Sequence, residues 1–308
     1  MTLEELNTSI GDDSINEVIR VAEARQVKRI SQIADDVCAR GGVRVVLLAG
    51  ASSAGKTTTA KRLCTQLRVN GRVALHLSTD DYYVERDATP RTADGSFDFE
   101  HLKCIDADRL SREINALIGG ETVLRRRYDF VKHTGFDSDE KLSLPPDGVI
   151  VVEGIHALNP ALTEKVDELC KYGVFVEPRP SLGYFDTLRP SAADSRLIRR
   201  LVRDNRFRKV SPAETLRMWR NVLDGEEKWI KPFRVFADVR FDSYLVYELA
   251  ALKNHAGGLL VWAEREMGRR PEIDRLKLIM EPVLPIGDEK IPGDSILRET
   301  IGGSQLEY

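Results

Sequence analysis

The residues with the clearest chemical meaning lie between positions 44 and 68, which read RVVLLAGASSAGKTTTAKRLCTQLR. Gly50, Gly55, Lys56 and Thr57 match the pattern G-x-x-x-x-G-K-[ST]. In this pattern, backbone N–H groups at a helix N-terminus surround phosphate oxygens, the lysine reaches the β- and γ-phosphates, and the hydroxyl joins the shell of a Mg²⁺ ion. The sequence therefore predicts a nucleoside-triphosphate site formed by Gly50, Ala51, Ser52, Ser53, Ala54, Gly55, Lys56, Thr57 and Thr58.

The flanking residues supply the elements that such a loop needs. Residues 45–48 form a short apolar run that is typical of a buried strand, and Ala60, Leu63, Cys64 and Leu67 recur at helical spacing afterwards. A glycine-rich turn that matched the pattern by chance would need neither the strand before it nor the helix after it. The strand, loop and helix together favour the phosphate-binding interpretation.

Acidic residues follow two further predicted strands. Residues 72–77 precede Asp80 and Asp81, and the apolar run 148–152 precedes Glu153. The carboxyl ends of strands in an open α/β sheet are where ligands bind. Glu153 is placed to hold Mg²⁺ directly or through water, and either aspartate could face an acceptor hydroxyl or simply form a turn.

A helix is predicted over 194–204, where four arginines recur at i, i+3, i+4 and i+7: Arg196, Arg199, Arg200 and Arg203. A charged stripe is usually a solvated face. Because only two acidic residues border this one, we expect a lid that closes on phosphates.

Two segments leave their roles open. Residues 84–101 are polar and indicate an active-site loop. Residues 121–136, ETVLRRRYDFVKHTGF, could either bind an aromatic ligand or form a β-hairpin with a solvated basic face.

The outer parts of the chain predict helical additions. A helix over 14–39 has Ser14 as its expected cap and ends at Gly41-Gly42. Near the other end we expect a helix over 244–253 that breaks near Gly257-Gly258, and a short strand over 277–280. The predicted organisation is an N-terminal extension (1–40), a nucleotide-binding domain (41–258) with its lid around 194–232, and a C-terminal extension (259–308) packed on that domain.

Composition narrows the class of protein. The 308 residues carry a formal net charge of −3, which gives no basic excess for nucleic-acid binding. Four cysteines at irregular spacing indicate reduced thiols in a cytoplasmic protein, and no run is apolar enough to span a membrane. The expected partner is a small molecule, and the sequence leaves a homo-oligomer open.

Several segments in one order resemble a known family. GASSAGKTT, STDDYY, RYDFVKH, VVEGIHALNP and DSRLIRRLVRDNRFR are similar to the uridine kinase/phosphoribulokinase group of P-loop kinases, and most of all to uridine–cytidine kinases. The likeness covers about residues 15–308. It implies a three-layer α/β P-loop fold with a parallel sheet, an arginine-bearing lid helix and helical N- and C-terminal extensions.

The resemblance also implies roles in transfer of the γ-phosphoryl group of ATP to the 5′-hydroxyl of uridine or cytidine. Catalysis would use Asp80 as the base, with Lys56 and Arg203. Mg²⁺ would be surrounded by Thr57, Asp80 and Glu153. The lid over the triphosphate would contribute Arg203 and Arg208. The acceptor would contact Asp80, Tyr83, Glu100, Tyr128, Phe130, His133 and Arg200.

Three departures from the family pattern keep other functions open. Gly135 stands where uridine–cytidine kinases usually carry arginine, the loop around Leu102 lacks a common proline, and the C-terminal half is longer than in compact relatives. The alternatives are a kinase of another small hydroxylated metabolite, such as a sugar phosphate or a pantothenate-like acid, and a nucleotide-binding regulator without kinase activity.

Overall fold

A parallel β-sheet forms the centre of the structure, a computed structural model that describes residues 1–92, 95, 97–130, 132–184 and 188–307. The strands are β1 (Val45–Ala49), β2 (Ala74–Ser78), β3 (Val123–Asp129), β4 (Thr134–Leu142), β5 (Val149–Gly154), β6 (Lys171–Glu177) and β7 (Val239–Asp242). The sheet has the order β2-β5-β1-β6-β7, and all of its pairs are parallel. Every residue of β1 and β5 is buried, as their continuous apolar runs require in a sheet covered on both faces.

Helices cover both faces of the sheet. They are α1 (Leu3–Gly11), α2 (Ile15–Ala39), α3 (Lys56–Val69), α4 (Ala107–Ile118), α5 (Ala192–Phe207), α6 (Pro212–Trp229), α7 (Glu248–Met267), α8 (Pro271–Met280) and α9 (Arg298–Ile301). α2 and α3 share one apolar core with the sheet, and α4 packs in the core of the opposite face. A third core joins α1, the start of α2, and the helices α5 to α8. The predicted three-layer α/β fold with N-terminal helices is confirmed.

Strand register brings the chemical residues to one edge. Leu48 pairs with Glu153, Ala49 with Gly154, and Ser78 with Glu153. Because β1, β2 and β5 run in the same direction, the phosphate-binding loop and the residues after β2 lie beside Glu153.

The segment 121–136 does form a hairpin, in which β3 and β4 pair antiparallel outside the main sheet. Residues 93, 94 and 96 of the predicted active-site loop, together with residues 131, 185–187 and 308, lie outside the described ranges. Within those ranges, no helix combines the length and apolar character needed to cross a membrane.

Three local predictions were wrong. Ser14 has helical backbone angles (φ −76°, ψ −3°) and makes no side-chain cap; its N–H instead donates to Asp12. Gly257-Gly258 do not break α7, because both face open space while Ala256 and Leu260 pack in the core. Residues 277–280 belong to α8, where Leu276, Ile279 and Met280 are buried at helical spacing.

Candidate active site

The phosphate-binding loop is fixed by its glycines. Gly55 has φ +86°, and a Cβ there would overlap the Ile296 side chain. A Cβ on Gly50 would overlap the Val176 carbonyl. The loop leads into α3, which begins at Lys56, and the Lys56 ammonium donates to the Ala51 carbonyl at 3.3 Å. The loop therefore has the shape that lets backbone N–H groups approach phosphate closely.

Glu153 lies where three elements meet. Its Oε1 accepts a hydrogen bond from Thr57 Oγ1 at 3.2 Å and another from Ser78 Oγ at 2.9 Å. The side chain is buried, and burial raises the pKa of Glu153 to about 7; the Lys56 ammonium opposes this rise and the Asp80 carboxylate adds to it. Asp80 follows β2 in a short turn, and its N–H donates to Ser78 Oγ at 3.3 Å. The start of α3 and the ends of β2 and β5 thus bring two carboxylates and a hydroxyl together.

These residues fit a magnesium–triphosphate group. The hydroxyl of Ser53 in the loop is buried and has no hydrogen-bond partner among the described residues. The Ser53 backbone has φ +59°, in the left-handed region. Oxygen donors such as Thr57 and Glu153 suit Mg²⁺, which usually takes one or two carboxylates together with substrate phosphates. The described part of the chain has no cluster of three or more His, Cys, Asp or Glu side chains that could hold a metal ion. Mg²⁺ does not need such a cluster, because the phosphates of the substrate supply some of its ligands.

The arginine stripe on α5 divides into two pairs. Arg196 pairs with Glu226 of α6, and Arg199 pairs with Glu248 of α7 and donates to the Ser243 carbonyl at 2.8 Å. Both arginine side chains are 3% exposed. The prediction of a four-arginine face over the phosphates was wrong for these two, because they neutralise buried carboxylates between helices.

The other pair is not taken up by carboxylates of α6 and α7. Arg199 also reaches the loop, because its Nη1 lies 3.7 Å from the place of a Cβ on Gly55, but its guanidinium is paired with Glu248. Arg200 Nη1 donates to Ser52 Oγ at 2.8 Å, and Arg203 donates to Asp204 Oδ1 through Nε at 2.9 Å and Nη2 at 2.7 Å. Asp204 also lies 3.2 Å from Arg200 Nε and 3.7 Å from Arg208 Nε. Asp204, the shared partner of these guanidinium groups, was not predicted from the sequence, although its spacing of four residues from Arg200 and Arg208 is visible there.

Aromatic side chains form a cluster beside Asp80. The Tyr83 ring centroid lies 5.7 Å from that of Tyr128 and 5.8 Å from that of Phe130, and the last two are 4.9 Å apart. Tyr128 OH donates to the Val84 carbonyl at 3.2 Å, which ties the hairpin to the turn after β2. The Phe130 side chain is 55% exposed, so the cluster presents an aromatic surface. His133 lies in the hairpin turn with φ +54°.

Glu100 is held against α6. A Cβ on Gly225 would overlap its side chain, and its Oε2 is buried with no hydrogen-bond partner among the described residues. Burial raises the pKa of Glu100 to about 7, with Arg200 and Lys56 lowering it and Asp80 raising it further. A carboxyl group in this position can accept hydrogen bonds from ligand hydroxyls.

The structure also shows what surrounds Gly135, the departure from the family pattern. Gly135 pairs with Tyr128 across the hairpin, and the Arg126 guanidinium fills the place where a side chain at 135 would begin. Arg126 Nη1 lies 3.7 Å from Asp137 Oδ1, so its charge is already partnered.

Comparison with known proteins identifies the family. The model of the "Phosphoribulokinase / Uridine kinase family" matches residues 45–249. The chain belongs to this family. The P-loop, the kinase class of enzyme and the use of ATP follow from membership, and the resemblance seen in the sequence is confirmed.

Two relatives named uridine kinase agree with this assignment. The chain is 29% identical over 196 residues to a uridine kinase from Deinococcus deserti. The matched residues cover 63% of this chain and 85% of that protein. The chain is 31% identical over 180 residues to a uridine kinase from Mycoplasma pneumoniae, with 58% and 75% covered. The solved structure of a possible uridine kinase from Bacillus stearothermophilus has a TM-score of 0.45 and 21% identity, and covers 71% of this chain and 100% of that one.

Proposed function

We propose that this kinase transfers the γ-phosphoryl group of Mg-ATP to the 5′-hydroxyl of a nucleoside, with uridine or cytidine as the expected acceptor. The observation that carries this proposal is the meeting of Thr57, Asp80 and Glu153 beside the phosphate-binding loop, with an aromatic surface next to Asp80. The relatives named uridine kinase support the choice of acceptor.

Each residue has a chemical role in this scheme. Asp80 orients the acceptor hydroxyl and takes its proton. Lys56 and Arg203 balance the negative charge on the transferred group, and Thr57, Asp80 and Glu153 would hold Mg²⁺. When bound, the ion would neutralise the negative charge that develops during transfer of the phosphoryl group.

The acceptor would lie between the aromatic cluster and Glu100. The rings of Tyr83, Tyr128 and Phe130 offer a surface on which a pyrimidine base can stack, and His133 lies in the adjoining turn. Glu100 and Arg200 are the groups that would hydrogen-bond the ribose hydroxyls. Arg208 would complete the lid over the triphosphate.

A second acceptor class is another small hydroxylated metabolite, such as a sugar phosphate or a pantothenate-like acid. Gly135 favours it, because the guanidinium that fills this place belongs to Arg126 and is paired with Asp137. A base-reading contact supplied by arginine at this position in relatives would then be missing here.

Replacing Asp80 by asparagine tests the catalytic role. Loss of a general base lowers turnover by about 10²–10⁴-fold, whereas the affinity for ATP should stay close to that of the wild type. Asp81→Asn is the matched control, because Asp81 Oδ2 lies 3.7 Å from Arg127 of the hairpin and its carboxylate is not assigned to the reaction. If Asp80→Asn turned over as fast as Asp81→Asn with every acceptor, the assignment of the base would be wrong.

A further inference from the structure

The side of α7 that faces away from the core carries two large apolar residues. Val261 is 41% exposed and Trp262 is 46% exposed, although both lie inside the helix. Ala256 and Leu260, on the opposite side of the helix, are buried in the core. Tryptophan is among the residue types that most often anchor an interface between proteins.

The helices α6 and α8 border this side of α7 without covering it. Arg217 of α6 lies 3.2 Å from Glu266, and Lys277 of α8 pairs with Glu264. Between these two contacts the surface of α7 stays in solvent. The outer face of α7 consists of six exposed residues: Asn254, Gly257, Gly258, Val261, Trp262 and Arg265.

Two residues of the outer face are glycines that a single chain does not require. A Cβ on Gly257 or on Gly258 would meet no atom within 4 Å. Neither residue has a positive φ, so other residue types could adopt the same backbone conformation. Glycine inside a helix is also destabilising relative to alanine. Close approach by another molecule is a physical reason for glycine at both positions.

The outer face is complementary to itself. Val261 follows Gly257 by one helical turn, and Trp262 follows Gly258 by one turn. If an antiparallel copy of α7 crosses this helix near residues 259–260, each Trp262 lies against Gly258 of the partner subunit. Each Val261 then lies near Gly257 of the partner subunit. A two-fold axis repeats both contacts, so every large side chain meets the space that a glycine leaves.

Charge complementarity favours the antiparallel orientation. At one end of the outer face, Arg265 is exposed and forms no ion pair among the described residues. At the other end, Asp288 is held beside α7 by His255, whose Nε2 lies 2.8 Å from Asp288 Oδ1, and the Asp288 side chain is 44% exposed. An antiparallel copy brings each Arg265 towards Asn254 and Asp288 of the partner subunit. A parallel copy would instead bring two Arg265 side chains of like charge together.

We propose that the outer face of α7 is a docking surface for a second copy of this chain, formed by an antiparallel pair of α7 helices with Trp262 as its anchor. The face extends about 17 Å along the helix, from residue 254 to residue 265. An interface built on a face of this length is small, so the dimer should be reversible, with a Kd of about 1–100 µM. The inference does not depend on the identity of the phosphoryl acceptor.

Sedimentation equilibrium of the full chain at about 1–100 µM tests this inference. The wild type should show a reversible equilibrium between monomer and dimer. Trp262→Ala and Gly258→Gln should each weaken the dimer by at least about tenfold, because one removes the anchor and the other fills its place. Val27→Gln is the matched control, since Val27 on α2 is exposed to a similar degree (38%), and this variant should dimerise as the wild type does.

Thermal melts separate the loss of the dimer from a folding defect. Glutamine favours a helix more than glycine does, and a Cβ on Gly258 meets no neighbour. At concentrations where the wild type is monomeric, Gly258→Gln should therefore melt about 1–3 °C higher than the wild type, although it dimerises less.

An exchange of the two residues tests the register. Gly258→Trp alone should lose the dimer, because two large side chains then compete for one space. Combining Gly258→Trp with Trp262→Gly restores one large and one small residue to each opposing pair, so the double variant should dimerise again. Absence of this recovery would refute the antiparallel register.

Two results would overturn the docking surface itself. A wild type that stays monomeric at about 100 µM would exclude the second copy as its occupant and leave the face to a different protein. A dimer that Trp262→Ala and Gly258→Gln leave unchanged would place the interface on another surface of the chain.

Discussion

Arg199 and Arg203 lie one helical turn apart on α5, yet their replacement by methionine should impair different properties. Arg199 is 3% exposed and its partner Glu248 is 0% exposed. Removing one partner of such a buried pair leaves the other charge uncompensated, which costs about 3–5 kcal/mol of stability. Asp204, the partner of Arg203, keeps Arg200 beside it, so Arg203→Met should cost about 1–2 kcal/mol.

Urea unfolding, followed by tryptophan fluorescence, measures this difference as a change in the free energy of unfolding. The double variant Arg199→Met with Glu248→Leu should recover most of the lost stability, because it removes both buried charges. Arg203→Met should instead weaken ATP binding. If Arg199→Met lost less than about 1 kcal/mol but bound ATP poorly, Arg199 would belong to the phosphate site and the division of the stripe would be wrong.

Three further outcomes follow from the site geometry. Because burial raises the pKa of Glu100 from 4.5 to about 7, the folded protein without ligands holds this proton more tightly than the unfolded chain. Glu100 should therefore contribute a fall of about 2–3 kcal/mol in the free energy of unfolding between pH 4.5 and 7, and Glu100→Gln should remove that contribution in pH-dependent melts. Gly55→Ala should lower both stability and ATP affinity, by about 1–3 kcal/mol in stability, because alanine is strained at φ +86° and overlaps Ile296; an unchanged melt would contradict this. Tyr128→Ala should raise the acceptor KM in steady-state assays, corresponding to about 1–3 kcal/mol for a stacked base, and leave the KM for ATP unchanged.

The parts of the site that the sequence could predict are local. The loop at 50–57 follows a buried strand and Glu153 lies at the end of another, and parallel strands bring such positions to one edge. The apolar runs 45–48 and 148–152, together with the G-x-x-x-x-G-K-[ST] pattern, were therefore sufficient to predict that Thr57 lies near Glu153.

Contacts between distant segments could not be predicted in this way. The buried partners of Arg196 and Arg199 lie 30 and 49 residues later in the chain, on α6 and α7. The hydrogen bond between Thr58 and Glu299 spans 241 residues. Neither separation leaves a periodic signal, so the arginine stripe was interpreted as a single surface.

Helix propensity was also overridden by packing. Glycine favours a helix end, yet α7 continues through Gly257-Gly258 because the residues on its inner face, including Leu252, Ala256 and Leu260, pack in the core. The same effect makes α8 helical where its short apolar run suggested a strand.

The central claim is tested most directly by measuring Mg-ATP consumption against a panel of hydroxylated acceptors. The panel should contain uridine and cytidine beside sugar phosphates, inositols and pantothenate, with Asp80→Asn as the inactive reference. We predict saturable turnover with uridine or cytidine that Asp80→Asn abolishes. If no nucleoside raised ATP consumption above the rate without acceptor, in a protein that still binds ATP, nucleoside phosphorylation would be contradicted. The other acceptors in the panel would then be the candidates.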